Sequence, residues 1–127
     1  MRLIAIQSAE WDRDQARQLM ISWIKQYLDF DAVFAVNDDM VLGAIDAMSA
    51  AGIRPSTKVT IGLDGSSEAL RSIKAGVLGA TVDTVPAKQA RQAVEYLMKH
   101  LRDKAMPPQR VMLVTPELIT KASPPRG

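Results

Sequence analysis

Cysteine is absent from these 127 residues. That excludes a disulfide framework, a thiolate metal site and a cysteine nucleophile, without choosing between a reducing and an oxidising compartment. Histidine occurs once, as His100, so any site built from two imidazoles is excluded as well. No apolar run approaches the roughly 20 residues of a membrane-spanning helix. The opening Leu3-Ile4-Ala5-Ile6 is too short for the apolar core of a secretory leader, and no small-residue cleavage signature follows. The expectation is a cytoplasmic protein or an internal stretch of a longer one. Strong charge of one sign is also missing: 16 basic and 14 acidic side chains leave +2, too little to require nucleic acid. The charge is uneven, with a net of −3 over residues 1–84 and +5 over residues 85–127. The plain reading of that asymmetry is solvated surface with a basic last helix.

What is present is ordinary globular material, 47% hydrophobic and 24% charged, in a length suited to one domain. Short apolar runs recur at Leu3–Ile6, Ala32–Val36, Lys58–Leu63, Ala80–Val82 and Val111–Val114. Runs this short and rich in Val and Ile suit strands buried on both faces of a parallel sheet. Helical spacing lies between them. From about Asp12 to Leu28, Ala16, Leu19, Met20, Trp23, Ile24 and Tyr27 recur at i, i+3 and i+4. A second helix runs from about Asp39 to Ala51, with Leu42, Ile45 and Met48 in one stripe and Gly52 as its stop. A third runs from about Ser66 to Ala75. A fourth begins near Pro86, an allowed first-turn position for proline, with Ala90, Ala93, Val94, Leu97 and Leu101 as its buried face. The predicted order is β-α-β-α-β-α-β-α-β: an α/β domain over residues 1–122, a three-layer open parallel sheet with helices on both faces. Residues 123–127 are expected to fray. Ala32–Val36 and Lys58–Leu63 are expected as adjacent or near-adjacent interior strands.

Open α/β sheets bind ligands outside the carboxyl ends of their strands. Those ends carry Trp11 and Asp12, then Asn37-Asp38-Asp39, then Asp64-Gly65-Ser66, then Asp83-Thr84. Carboxylates and amides bridge adjacent hydroxyls, and an indole stacks on the C–H face of a sugar ring. The set therefore fits a carbohydrate. Plainer roles fit the same residues: Asn37 and Asp38 as a helix cap, Asp64-Gly65 as a turn, Trp11 as core, His100 as surface near a helix end. Grouped carboxylates also suit Mg²⁺, but no further spacing supports a metal. Chemistry of the catalytic kind has little support. No Ser-His-Asp set, Walker loop or Gly-x-Gly-x-x-Gly is found after a strand, and no cofactor is expected.

Ala32-Val33-Phe34-Ala35-Val36-Asn37-Asp38-Asp39-Met40 resembles a hallmark of the type I periplasmic sugar-binding proteins, the ribose- and galactose-binding kind. Ile61-Gly62-Leu63-Asp64-Gly65 resembles their next hallmark. Ile73-Lys74-Ala75-Gly76 with Gly79-Ala80-Thr81-Val82, and Gln7 to Arg13, resemble two more, in matching order over nearly the whole chain. The resemblance implies one lobe of a two-lobed, hinged protein closing on a monosaccharide or similar polyol. The chain looks like most of the C-terminal lobe, without the lobe's first strand-helix unit. The helix at about 86–104 would pack on the other lobe, on a partner, or be swapped between chains. By the resemblance, Trp11 stacks on the ring, and Asn37 and Asp64 hydrogen-bond hydroxyls. Thr84 stands where ribose binders often carry glutamine, which points away from ribose itself, and Asp83 beside it is a weaker candidate. The implied setting is periplasmic or extracellular, with delivery to an ABC permease and no nucleic acid. The exposed apolar surface such a lobe would leave also predicts a homodimer. The alternatives are the effector domain of a lactose-repressor-type regulator, which usually shows Asp-Asp where this chain has Asp64-Gly65, a ligand-free interaction module, and a flavodoxin-like enzyme.

Overall fold

The computed structural model of the chain describes residues 1–27, 29–109 and 111–123. Leu28, at the predicted end of the first helix, and most of the predicted frayed tail lie outside them. The elements in order are α1 (Arg13–Gln26), β1 (Ala32–Phe34), α2 (Asp38–Ala50), a 3-10 turn at Pro55–Thr57, β2 (Val59–Leu63), α3 (Ser67–Lys74), β3 (Ala80–Asp83), α4 (Pro86–Asp103) and β4 (Glu117–Thr120). The sheet order is β1-β2-β3-β4.

The helices start where short polar side chains meet free backbone N–H groups. Asp12 accepts the Gln15 N–H at 2.8 Å, Asn37 the Met40 N–H at 2.8 Å, and Ser66 the Ala69 N–H at 3.2 Å. Helix α2 ends where Gly52 takes φ +76. Nine of the thirteen α2 residues are buried, Val41 and Met48 completely. Six of them, Val41, Leu42, Ala44, Ile45, Ala47 and Met48, form one core with Met20 of α1, Phe30, Ala69 and Ile73 of α3, and Leu78, while Met40 packs with Ala9 and Ala16. Helix α1 lies against α2 at Gly43, where an added Cβ would stand 2.2 Å from the Arg13 carbonyl oxygen.

Strands β1, β2 and β3 pair in parallel, with Phe34 opposite Ile61 and Gly62 opposite Thr81. Strand β4 pairs antiparallel with β3, Thr81 facing Ile119. The sheet is therefore mixed, which corrects the all-parallel expectation. β1 lies at the edge of the sheet among the described residues, so of the two predicted interior strands only β2 is interior. Leu3–Ile6 and Val111–Val114 are not strands. Their side chains are mostly exposed, and an apolar run becomes a strand only beside another backbone that can take its hydrogen bonds. The chain returns instead at Glu117–Thr120. There Ser123 closes a turn, donating its N–H to the Thr120 carbonyl and accepting the Thr120 N–H on its hydroxyl.

The register separates two faces. One carries Val33, Thr60, Gly62, Thr81 and Ile119, and it is covered: Val33 and Ile119 pack on the core shared by α1, α2 and α3. The other carries Phe34, Val59 and Leu118, which are 63%, 57% and 62% exposed. The expected third layer is absent from that face among the described residues. Helix α4 does not supply it. None of its eighteen residues is buried, which corrects the expectation of a buried stripe through Ala90, Ala93, Val94, Leu97 and Leu101.

Candidate functional site

Parallel pairing puts the carboxyl ends of β1, β2 and β3 on one edge of the sheet, and the start of α1 joins them there. Three of the loops at that edge hold unusual backbone; the one after β1 does not, Asn37 being extended. Glu10 and Trp11 take φ +50 and +61, Asp64 and Gly65 take +123 and +73, and Val85 takes +50. Left-handed conformations are costly for residues with a Cβ, most of all a β-branched one. Their grouping at one edge marks a place where side-chain direction has overridden backbone comfort.

The first loop presents the indole. Asp12 N–H closes a turn onto the Ala9 carbonyl at 2.8 Å, and Ser8 Oγ donates to Glu10 at 2.7 Å. Trp11 is left 64% exposed, so the reading of Trp11 as core is set aside. Asn37 is nearly buried. Its Nδ2 donates to the Trp11 carbonyl at 3.3 Å while its Oδ1 caps α2. The capping role and the ligand role are therefore not exclusive, because an amide keeps a second N–H and a second lone pair.

The second and third loops touch. A Cβ on Gly65 would lie 2.8 Å from the Asp83 Cβ, so the loop after β2 closes onto Asp83 only because residue 65 has no side chain. Asp83 is buried and accepts the Val85 N–H at 2.6 Å. It is occupied in holding its own loop. Thr84 is half-buried, and its carbonyl accepts from Gln89 at 2.5 Å. Asp64 is exposed at the lip. Partial burial raises its pKa from the ordinary 3.8, helped by the neighbouring Asp38 carboxylate and opposed by the Asp38 N–H that its carboxylate accepts.

The structure thus couples Trp11 to Asn37 and the Asp64 loop to Asp83, with Thr84 following Asp83 at the same sheet edge. It also shows a residue the sequence reading left as one half of a possible cap. Asp38 is 1% exposed, whereas Asp39 faces solvent. The available signal was an acidic residue opening a helix that is apolar almost all round. Among the described residues no group of three or more His, Asp and Glu side chains is placed to hold a metal ion, and no helix is long and apolar enough to cross a membrane. An open groove between Gln7, Ser8 and α1, lined by Gln15 and Gln18, lies beside this edge without including Asn37, Asp64 or Thr84. The edge itself is a surface of amides, carboxylates and one indole, groups suited to hydroxyl-rich ligands, and among the described residues it is open to solvent at Trp11 and Asp64.

A polar edge at the carboxyl ends of the strands of an α/β sheet is where such folds hold small ligands. The chain's relatives narrow that reading. The chain belongs to the type I periplasmic sugar-binding family: residues 1–105 match the periplasmic binding protein domain. It is 32% identical over 123 residues to a D-apiose import binding protein of Paraburkholderia graminis, covering 97% of this chain and 39% of that protein. It is 37% identical over 95 residues to a ribose import binding protein of Bacillus subtilis, covering 75% and 30% respectively. The solved periplasmic solute-binding protein of an ABC transporter from Actinobacillus succinogenes, with D-allose bound, superposes with a TM-score of 0.87 at 30% identity, covering 94% of this chain and 42% of that one. The chain spans about two fifths of the length of the first of these relatives.

Proposed function

We propose that the chain supplies half of a monosaccharide or polyol site in the solute-binding component of an ABC-type sugar import system. The observation that carries this reading is the exposed Trp11, held in a left-handed turn by Asn37 at the same sheet edge as Asp64. Trp11 stacks on the C–H face of the sugar, Asn37 and Asp64 hydrogen-bond its hydroxyls, and Thr84 contributes a hydroxyl at the far side, with Asp83 a lesser contact. The relatives are binding proteins for D-apiose, ribose and D-allose, which supports a sugar. An open edge cannot bury most of a small ligand, the usual condition for tight binding. The remaining walls belong to a second lobe, and the loaded protein hands its sugar to a membrane permease outside the cytoplasm.

The test is an NMR titration of the chain with millimolar D-allose, D-ribose and myo-inositol. The expected result is a weak, saturable shift of the Trp11 indole, Asn37 and Asp64 signals by at least one of them. No shift with any of the three overturns the sugar reading, and micromolar titration heats overturn the half-site.

The bare sheet face at Phe34, Val59 and Leu118, and the α4 stripe at Val94, Leu97 and Leu101, support the same picture. Apolar surface on this scale is normally covered. In the chain by itself we propose that a second copy covers it, through face-to-face pairing or exchange of α4. A clean monomer in sedimentation at tens of micromolar would refute the dimer.

A further inference from the structure

A buried carboxylate is costly unless every lone pair of consequence is satisfied. Asp38 meets that condition with partners from two other elements. Its Oδ1 accepts the Thr81 hydroxyl of β3 at 2.6 Å, and its Oδ2 accepts the Ser66 N–H at 2.7 Å. Thr81 is 0% exposed, and its Oγ1 also accepts the Gly65 N–H at 3.2 Å. The carboxylate reaches β3 by passing over β2 at Gly62, where a Cβ would stand 2.4 Å from Asp38 Oδ1. Two consecutive amides of the loop after β2 are therefore gripped from beneath by a side chain of α2 and a side chain of β3. The residue immediately before them is Asp64, in a left-handed conformation that its own side chain does not favour.

We propose that Asp38 and Thr81 are positioning residues for Asp64: together they hold the Asp64-Gly65-Ser66 loop in the conformation that presents the Asp64 carboxylate to ligand hydroxyls, without either touching the ligand. The inference rests on the reading of Asp64 as a ligand contact and adds what fixes its geometry. Charge-assisted hydrogen bonds are shorter and stronger than neutral ones, which suits a buried carboxylate to a task that a neutral amide would do less well. The clamp also links three elements, α2, β2 and β3, so it is made only in the folded sheet.

The experiment uses the full chain in three variants, Thr81→Val, Thr81→Ser and Asp38→Asn. Thr81→Val keeps the shape and removes the hydroxyl. Thr81→Ser restores it. Asp38→Asn keeps the size and an acceptor for the Ser66 N–H but loses the charge. Native-state amide exchange at Gly65 and Ser66 is expected to accelerate about tenfold in Thr81→Val, as one lost hydrogen bond to a charged network would allow, with Gly62 and Leu63 unchanged. Thr81→Ser should restore protection, and Asp38→Asn should fall between. D-allose, used as the probe, should bind more weakly by a similar factor in Thr81→Val and recover in Thr81→Ser. Unchanged protection at Gly65 and Ser66 overturns the proposal. So does a loss spread equally over β2 and β3, which a merely structural role would produce. If Thr81→Val does not fold, Asp38→Asn decides the same question. Absence of shifts at Asp64 in the unmodified chain with D-allose, D-ribose and myo-inositol alike overturns the ligand reading alone, and the exchange measurements still decide whether the clamp holds the loop.

Discussion

Helices α2 and α4 are both built from long apolar side chains at helical spacing, yet one is swallowed by the protein and the other is left outside it. Helix α2 buries nine of thirteen residues and α4 none of eighteen. In α4, Val94, Leu97, Met98 and Leu101 are each 56–59% exposed. The difference is not in the helices but in what they meet. Helix α2 sits between α1, α3 and the covered sheet face, and the side chains around it come from its own chain. Helix α4 leaves the sheet after Val85 and finds no such surface. An amphipathic stripe states that a helix needs a partner; it does not state who provides one.

Truncating matched positions is the sharpest way to break the comparison. Met48→Ala empties a fully buried site in α2 and is expected to cost about 3 kcal/mol in urea unfolding, while Leu97→Ala in α4 should stay within about 0.5 kcal/mol once the chain is diluted to the monomer. Equal costs at that dilution would mean that α4 is covered within its own chain. Next in size is Gly43→Ala. The obstructing atom is backbone, so α1 must move away from α2, at an expected cost of about 2 kcal/mol by the same measurement. The third test adds charge to α4. Leu97→Asp should leave the unfolding midpoint of the diluted monomer almost unmoved and, at tens of micromolar, shift the sedimentation profile toward smaller species or visible aggregate. No change in sedimentation would remove α4 from any interface.

The smallest effect concerns Asp64. Its folded pKa is raised, so the folded state favours the protonated form more than the unfolded state does. Stability from this group is fully present below the ordinary value of 3.8 and is lost as pH rises through the raised value. Asp64→Asn should therefore raise the melting temperature slightly at pH 7 and leave it unchanged at pH 3. A lower melting temperature at pH 7 would contradict the assigned direction. The same variant should weaken D-allose binding, separating a residue kept for ligand from one kept for stability.

The parts legible in the sequence are those whose signals are local. Asn37 and Gly52 bracket α2 to within one residue at each end, since capping and a left-handed stop act over a single turn. Val and Ile runs located β1, β2 and β3. Leu3–Ile6 and Val111–Val114 carry the same composition and form no strand, because pairing needs a neighbour that composition does not specify. The short Glu117–Thr120 strand was missed because half of it is polar, and its antiparallel sense follows from where the chain returns after α4. At the site, the polar residues after each strand were readable one by one. The burial of Asp38 was not, since Gly62 and Thr81 lie 24 and 43 positions away and only the register brings them beneath it.

Arg13 carries a consequence for recognition. It sits two residues after Trp11, and its guanidinium donates at 2.9 Å to Asp46 of α2 and at 2.8 Å to Glu68 of α3, which lies two residues after Ser66. One side chain therefore ties the indole loop to the carboxylate loop before any ligand arrives. The ordering cost falls on folding rather than on binding, which favours affinity for so small a partner. The ion pairs are partly open to water, at 36% and 46% side-chain exposure, so dissolved salt weakens them. An uncharged sugar should accordingly be held less well as ionic strength rises, even though it carries no charge for the salt to screen.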